Sequence, residues 1–215
     1  MSENDLNPAF LVENICRVYG LPFSEGNNVT LLWKSSESFR AIFESVKSAK
    51  EFVCLEFYIF RNDETGTELA EILRKKALEG IKVYVLVDHF GSIGIPWRFW
   101  KSLIQSGVHI RIARPFIWSN PLHYIHRDHR KLVIIDGEKA FTGGLNIANE
   151  YRGYHRLKKK TAGWRDTGIF LEGPVAGTLL ETFKESWHLW KGARIGFSRN
   201  VRPFESGLDV LPIFA

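Results

Sequence analysis

The sequence predicts an α/β domain: a mainly parallel or mixed β-sheet flanked by helices on both faces. Three observations carry that expectation. Short apolar runs alternate with amphipathic segments of roughly 10–15 residues, the rhythm that feeds right-handed crossovers into a parallel sheet. Glu51–Phe60 (EFVCLEFYIF) is apolar at consecutive positions rather than alternate ones, as a strand buried on both faces is. The 215 residues are 45% hydrophobic and 25% charged, which excludes a disordered or fibrous chain and suits one large domain.

Residues 1–28 form a lead-in with one short amphipathic piece, Phe10–Tyr19, ending at Gly20. Val29–Trp33 reads as a strand. Ser36–Lys50 reads as a helix with Phe39, Ile42, Phe43 and Val46 on one face. After the Glu51–Phe60 strand, Asn62-Asp63 and Gly66 break the chain, and a helix spans Glu68–Leu78 up to Gly80. Ile81–Val87 is an apolar strand, followed by a loop, a helix over Trp97–Ser106 and a strand over Val108–Ile112. Beyond Arg114 the texture changes. Lys131–Asp136 and Lys139–Thr142 are strands around Asp136-Gly137, Asp166–Glu172 is one more, and Pro174–Trp190 is a helix with proline at its start. No repeat or linker intervenes, so 29–192 is expected to be one domain and 193–215 an extension.

Lys and Arg number 29 against 24 Asp and Glu, a net charge of +5 that suits an anionic partner without choosing one. Cys16 and Cys54 make no disulfide framework, which points to a reducing compartment. No apolar run is long enough for a transmembrane helix, and the acidic start MSENDLNPAF is no signal peptide. The expected location is cytoplasmic, or peripheral at the cytoplasmic face of a membrane.

The chemistry concentrates in HYIHRDHRKLVIIDGEKAFTGGLNIANEY, residues 123–151. Alternation puts His129 and Lys131 on one face at a strand's start. A two-residue Asp136-Gly137 turn would pair Lys131 with Thr142 and His129 with Gly144, leaving room beside the histidine for a tetrahedral phosphate. Lys131 supplies positive charge and Asn146 a neutral donor, both suited to phosphoryl oxygens. His129 can act as nucleophile or as acid–base near neutral pH. Asp136 should face away and hold the turn. Taken singly, each residue has a bland reading as a surface charge or a satisfied core group; their convergence on one hairpin favours function.

His129-x-Lys131-x4-Asp136-x6-Gly143-Gly144-x-Asn146 resembles, without a gap, the HxKx4Dx6GGxN signature of the phospholipase D superfamily. The segments LEFYIFRND, VYVLVDHFGS and GWRDTGIFLEGPV are also similar to the N-terminal half of bacterial cardiolipin synthases. The resemblance implies a two-step transfer that uses no metal and no cofactor. A histidine attacks phosphorus, a second histidine protonates the leaving alcohol, and water or another alcohol resolves the phosphohistidine. It implies catalytic roles for His129, Lys131, Asp136 and Asn146, substrate contact at Gly143 and Gly144, and an orienting carboxylate at Asp166. Asp166 could instead simply pair with a neighbouring arginine such as Arg165.

Members of this superfamily generally bring two signatures to one site, and this sequence carries one. A two-fold homodimer would bring two copies of His129 together, as the resemblance implies for single-motif endonucleases and some short phospholipase-like members, so a homodimeric endonuclease is an alternative function. The alternatives are a truncated half, with 193–215 the start of a missing second half, or a non-catalytic binding module. A metal site at His123, His126, Asp128 and His129 is a weaker reading, since its spacing misses a known ligand run by one residue and leaves Lys131 unexplained. The basic run of Arg152, Arg156, Lys158, Lys159 and Lys160 suits an anionic bilayer or a nucleic-acid backbone. Trp97, Phe99, Trp100, Phe116 and Trp118, near the strand ends, favour a phospholipid or membrane surface over nucleic acid, although Phe99 or Trp100 also reads as core.

Overall fold

The computed structural model describes residues 14–15, 17–18, 23–115, 129–152, 166–197 and 213–214. The strands are β1 (Phe23–Ser24), β2 (Asn28–Leu32), β3 (Phe52–Phe57), β4 (Lys82–Asp88), β5 (His109–Ala113), β6 (Leu132–Ile135), β7 (Lys139–Gly143), β8 (Gly168–Glu172) and β9 (Ile213–Phe214). The helices are α1 (Ser35–Lys47), α2 (Glu64–Leu78), α3 (Trp97–Gln105), α4 (Asn149–Arg152) and α5 (Pro174–Leu189). Seven strands form one sheet in the order β2-β8-β7-β6-β3-β4-β5, while β1 and β9 make a small antiparallel pair.

The sheet is mixed, the second of the two arrangements expected, and most of its strand pairs are antiparallel. Only β3–β4 and β4–β5 run parallel, where α2 and α3 carry the chain back between strands. β6 and β7 are joined by a tight turn and must be antiparallel; β6 on β3, β8 on β7 and β2 on β8 are antiparallel too. β3 lies deep in the sheet and is buried at all six positions.

Two apolar layers result. On one face Val53, Leu55, Phe57 and Val85 meet Phe39, Ile42 and Val46 of α1, Leu69 and Leu73 of α2, and Trp100 and Leu103 of α3. On the other, Phe52, Cys54, Leu86 and Ile134 meet Val175, Leu180, Phe183 and Trp187 of α5. Helices therefore cover both faces, as expected.

Two local corrections matter for the site. α2 begins at Glu64, not Glu68, because the Asp63 carboxylate caps it by accepting the Gly66 N–H at 3.0 Å. Gly66 lies inside the first turn rather than breaking the chain; a Cβ there would sit 1.8 Å from the Arg61 carbonyl oxygen. The β6–β7 register is also one residue off the expectation. Asp136 (φ +54) and Gly137 (φ +69) are both left-handed, and the Glu138 N–H closes the turn on the Ile135 carbonyl at 3.1 Å. The ladder nevertheless pairs Ile135 with Lys139, so Glu138 is squeezed out as a bulge. Continuing that register sets Gly143, not Thr142, opposite Lys131.

Candidate active site

The ladders bring the signature residues to one end of the sheet. Glu56 pairs with Leu132, so β6 starts where β3 finishes. Gly143 pairs with Gly168, so β7 finishes where β8 starts. His129, Lys131, Gly143, Gly144 and Asp166 therefore gather at the C-terminal ends of the parallel strands, where open α/β sheets place ligands. Asp136 sits at the far end of β6.

His129 is exposed, and its imidazole stacks on the Tyr58 ring with centroids 4.2 Å apart. The Lys131 ammonium donates to the His129 carbonyl oxygen at 2.6 Å and stands 5.8 Å from the Tyr58 ring centroid. The cation is thus folded back onto the backbone of the histidine, with one aromatic ring beside both. Between them Arg130 turns the other way, to a guanidinium–carboxylate contact of 3.5 Å with the buried Glu56.

Gly143 and Gly144 are needed for close approach. Gly143 has φ +132, and a Cβ there would lie 2.3 Å from the Thr167 carbonyl oxygen. At Gly144 a Cβ would lie 1.9 Å from Asp166 Oδ1. What fills the space over the glycines is the Asp166–Gly168 segment. Asp166 Oδ1 accepts the Thr167 N–H at 2.9 Å, which fixes the carboxylate against the glycine pair.

Past the glycines the chain is clamped to the loop after β3. Asn146 is buried, and its Oδ1 accepts the Ile59 N–H at 3.0 Å. A backbone donor must meet an acceptor, so the amide orientation is set and Nδ2 is the end left for other work. Ile147 bridges to Phe60. Asn149 donates its N–H to Asp63 Oδ2 at 2.7 Å and accepts from the Thr65 N–H at 3.0 Å and hydroxyl at 2.8 Å. These bonds tie the glycine–asparagine segment to the start of α2.

Asp136 accepts three backbone N–H groups, from Lys50 at 2.9 Å, Glu51 at 2.8 Å and Phe52 at 2.9 Å. It anchors the entry to β3 as well as the hairpin.

Of the other residues singled out in the sequence, Trp100 is core, Phe99 half-buried and Trp97 strongly exposed. Arg152 ends α4 and is bound to Glu68, its guanidinium 5.1 Å from the Phe43 ring centroid, so it does not belong to a free basic loop. Phe116, Trp118, His123, His126, Asp128, Arg156, Lys158, Lys159, Lys160 and Arg165 lie outside the described residues. Among the described residues no His/Cys/Asp/Glu group could hold a metal, and no helix is long and apolar enough to cross a membrane. Sequence reasoning missed Tyr58 and Glu56. A carboxylate inside the apolar run EFVCLEFYIF was the available signal, because a charge is buried only with a partner.

Fold and site together define a phospholipase D-like domain. The Salmonella typhimurium phospholipase D family member Nuc superposes with a TM-score of 0.58, covering 79% of this chain and 99% of that one at 17% identity. A phosphatidylserine synthase from Haemophilus influenzae Rd KW20 gives 0.58 over 81% of this chain and 40% of its own, at 18% identity. Such identities speak for the fold alone. A family model described as cardiolipin synthase, PLD-like domain, matches residues 42–156, and the chain belongs to that family. Cardiolipin synthase A of Pseudomonas fluorescens (strain SBW25) is 39% identical over 168 residues, and that of Pseudomonas syringae pv. syringae (strain B728a) is equally so. Each match covers 78% of this chain and 34% of the relative, so the chain spans about a third of the length of these curated relatives.

Proposed function

We propose that residues 29–192 act as one catalytic domain that cleaves or transfers a phospholipid phosphodiester through a phosphohistidine on His129. The observation that carries this is the gathering of His129, Lys131, Asn146 and the Gly144-seated Asp166 at one end of the sheet. An imidazole nitrogen of His129 attacks phosphorus; the N–P bond forms as the P–O bond to the first alcohol breaks. Lys131 and the Asn146 amide hold the non-bridging oxygens, where charge accumulates. Asp166 orients the imidazole. Gly143 and Gly144 let the Asp166–Gly168 segment lie close against the hairpin, and Asp136 supports the hairpin. A second copy of the chain supplies the second histidine, which protonates the departing alcohol and then deprotonates the incoming water or alcohol. Two relatives named cardiolipin synthase A support a phosphatidyl transfer to alcohol. The protein works peripherally, at the cytoplasmic face of a membrane.

Incubation with phosphatidylglycerol should release alcohol or water-soluble product, and His129→Ala should abolish it while leaving the unfolding midpoint unchanged. Full turnover in His129→Ala would remove the mechanism. Turnover should survive EDTA. Light scattering should give a mass near twice 24.7 kDa; an active monomer would remove the two-copy site.

A further inference from the structure

From His89 to Arg127 the sequence has no Asp or Glu but five Lys and Arg: Arg98, Lys101, Arg111, Arg114 and Arg127. That excess equals the net charge of +5 of the entire chain. In the same stretch Phe90, Ile93, Trp97 and Ile104 are 49, 55, 62 and 43% exposed. Large apolar side chains scattered singly on a surface need no explanation, but a run of them beside the exposed Arg98 and Lys101, in a stretch without a carboxylate, does.

The cluster is built rather than frayed. Asp88 Oδ1 accepts the Phe90 N–H at 2.8 Å and the Gly91 N–H at 3.3 Å, which sets the loop after β4. α3 is pinned from beneath, with Phe60 at 6.0 Å from Phe99 and 5.4 Å from Trp100 between ring centroids. Its outer stripe is Trp97, Lys101 and Ile104, spaced i, i+4, i+7. The loop also abuts the site. A Cβ on Gly91 would lie 1.8 Å from the Tyr58 carbonyl oxygen, and Tyr58 is the ring against His129. Arg61 Nη1 donates to the Ile93 carbonyl at 3.5 Å from the same side.

We infer that the loop Phe90–Gly94 and the outward stripe of α3 seat this chain on an anionic phospholipid bilayer. Ile93 and Trp97 enter the boundary between headgroups and acyl chains, and Arg98 and Lys101 pair with lipid phosphates. An indole suits that boundary because its body is apolar and its N–H is not. The cations match the charge of the bilayer surface, and the apolar side chains select a bilayer over a nucleic acid, which offers nothing for Ile93. The inference rests on the phospholipid reading above and names the surface that brings lipid to that site.

The test is flotation of the whole chain with vesicles of equal parts phosphatidylglycerol and phosphatidylcholine. Ile93→Ser combined with Trp97→Ala should lower vesicle partitioning by about tenfold or more. Arg98→Gln with Lys101→Gln should remove most of its dependence on phosphatidylglycerol content and on salt. Brominated lipid should quench the wild type more than Trp97→Phe, a substitution at an exposed site that keeps the fold even if the double variant does not. Hydrolysis of the soluble diester bis(p-nitrophenyl) phosphate should be unaffected by the loop substitutions. If no form hydrolyses a diester but the loop variants still lose vesicles, the catalytic reading falls and the docking surface stands. Vesicle binding at wild-type strength in the double variant, or equal quenching of Trp97→Phe, overturns the docking surface whatever the activity. Equally strong DNA binding lost in the same variants would overturn it in favour of a nucleic-acid partner.

Discussion

Asp166 and Gly144 are in direct contact: the carboxylate occupies the volume that a side chain at 144 would need, with Oδ1 1.9 Å from the position of a Cβ. The glycine pair therefore seats the carboxylate rather than lying empty beside the histidine. Gly144→Ala must push Asp166 away. Its turnover should fall about tenfold or more, to the level of Asp166→Ala, and the double variant should be no worse than either single one. Additive losses in that cycle would mean that the two residues act separately.

Asp136 belongs to the same signature but stands across β6 from His129. Asp136→Ala strands three N–H donors and should cost about 3–5 kcal/mol in a urea titration, a large share of a domain's stability. Asp136→Asn keeps an acceptor for part of the set and should cost about 1–2 kcal/mol. Its turnover per folded molecule should stay within about threefold of wild type. A collapse of turnover in a folded Asp136→Asn protein would assign the carboxylate to chemistry instead.

Tyr58 places an aromatic face on His129 at 4.2 Å between centroids. Such pairs are worth about 0.5–1.5 kcal/mol beyond burial, enough to hold an exposed imidazole in one orientation. Tyr58→Ala should lower kcat up to about tenfold with little change in KM, and Tyr58→Phe, which keeps the ring, should fall less. Equal activity in Tyr58→Ala would show that the imidazole is oriented from elsewhere.

What the sequence revealed and what it hid divide along physical lines. Strand and helix positions were legible because burial on one or both faces imposes period, and Pro174, Gly80 and Gly107 punctuate it. Strand direction was not, because Val29–Trp33 and Asp166–Glu172 read the same whether parallel or antiparallel. The hairpin register slipped by one because Asp-Gly signals the turn but not the bulge at Glu138. In the candidate site, the residues related by local spacing could be singled out from the sequence. Tyr58, Glu56 and Asp63 could not, because they act through pairings 70 or more residues away, such as Asp63 with the Asn149 N–H. The shift of α2 to Glu64 has a local origin: the Asp63 side-chain cap outweighs a glycine's poor helix propensity.

Cys54 supplies a pH signature of the layer beneath α5. It is fully buried, and burial pushes its thiol well above the usual range, against a smaller lowering by Lys184. In the unfolded chain the thiol titrates near ~8.5. Above that pH the unfolded state gives up a proton that the native state keeps, so the native state loses ground. The stabilisation is complete below the unfolded value and drains away as pH rises, by at most ~1.4 kcal/mol per pH unit for one group. Tyr84 is also raised, chiefly by burial, and adds a slope of the same sign. Urea titrations at about pH 7.5, 9 and 10 should therefore show falling stability in the wild type. Cys54→Ala should start lower by roughly 1 kcal/mol, from the small cavity, and fall less steeply. Comparing the two chains cancels Cys16 and the burial of Tyr84, leaving the buried thiol and its own smaller effect on Tyr84. Parallel slopes would show that water reaches Cys54 and that the packing of α5 on β3 is looser than the structure has it.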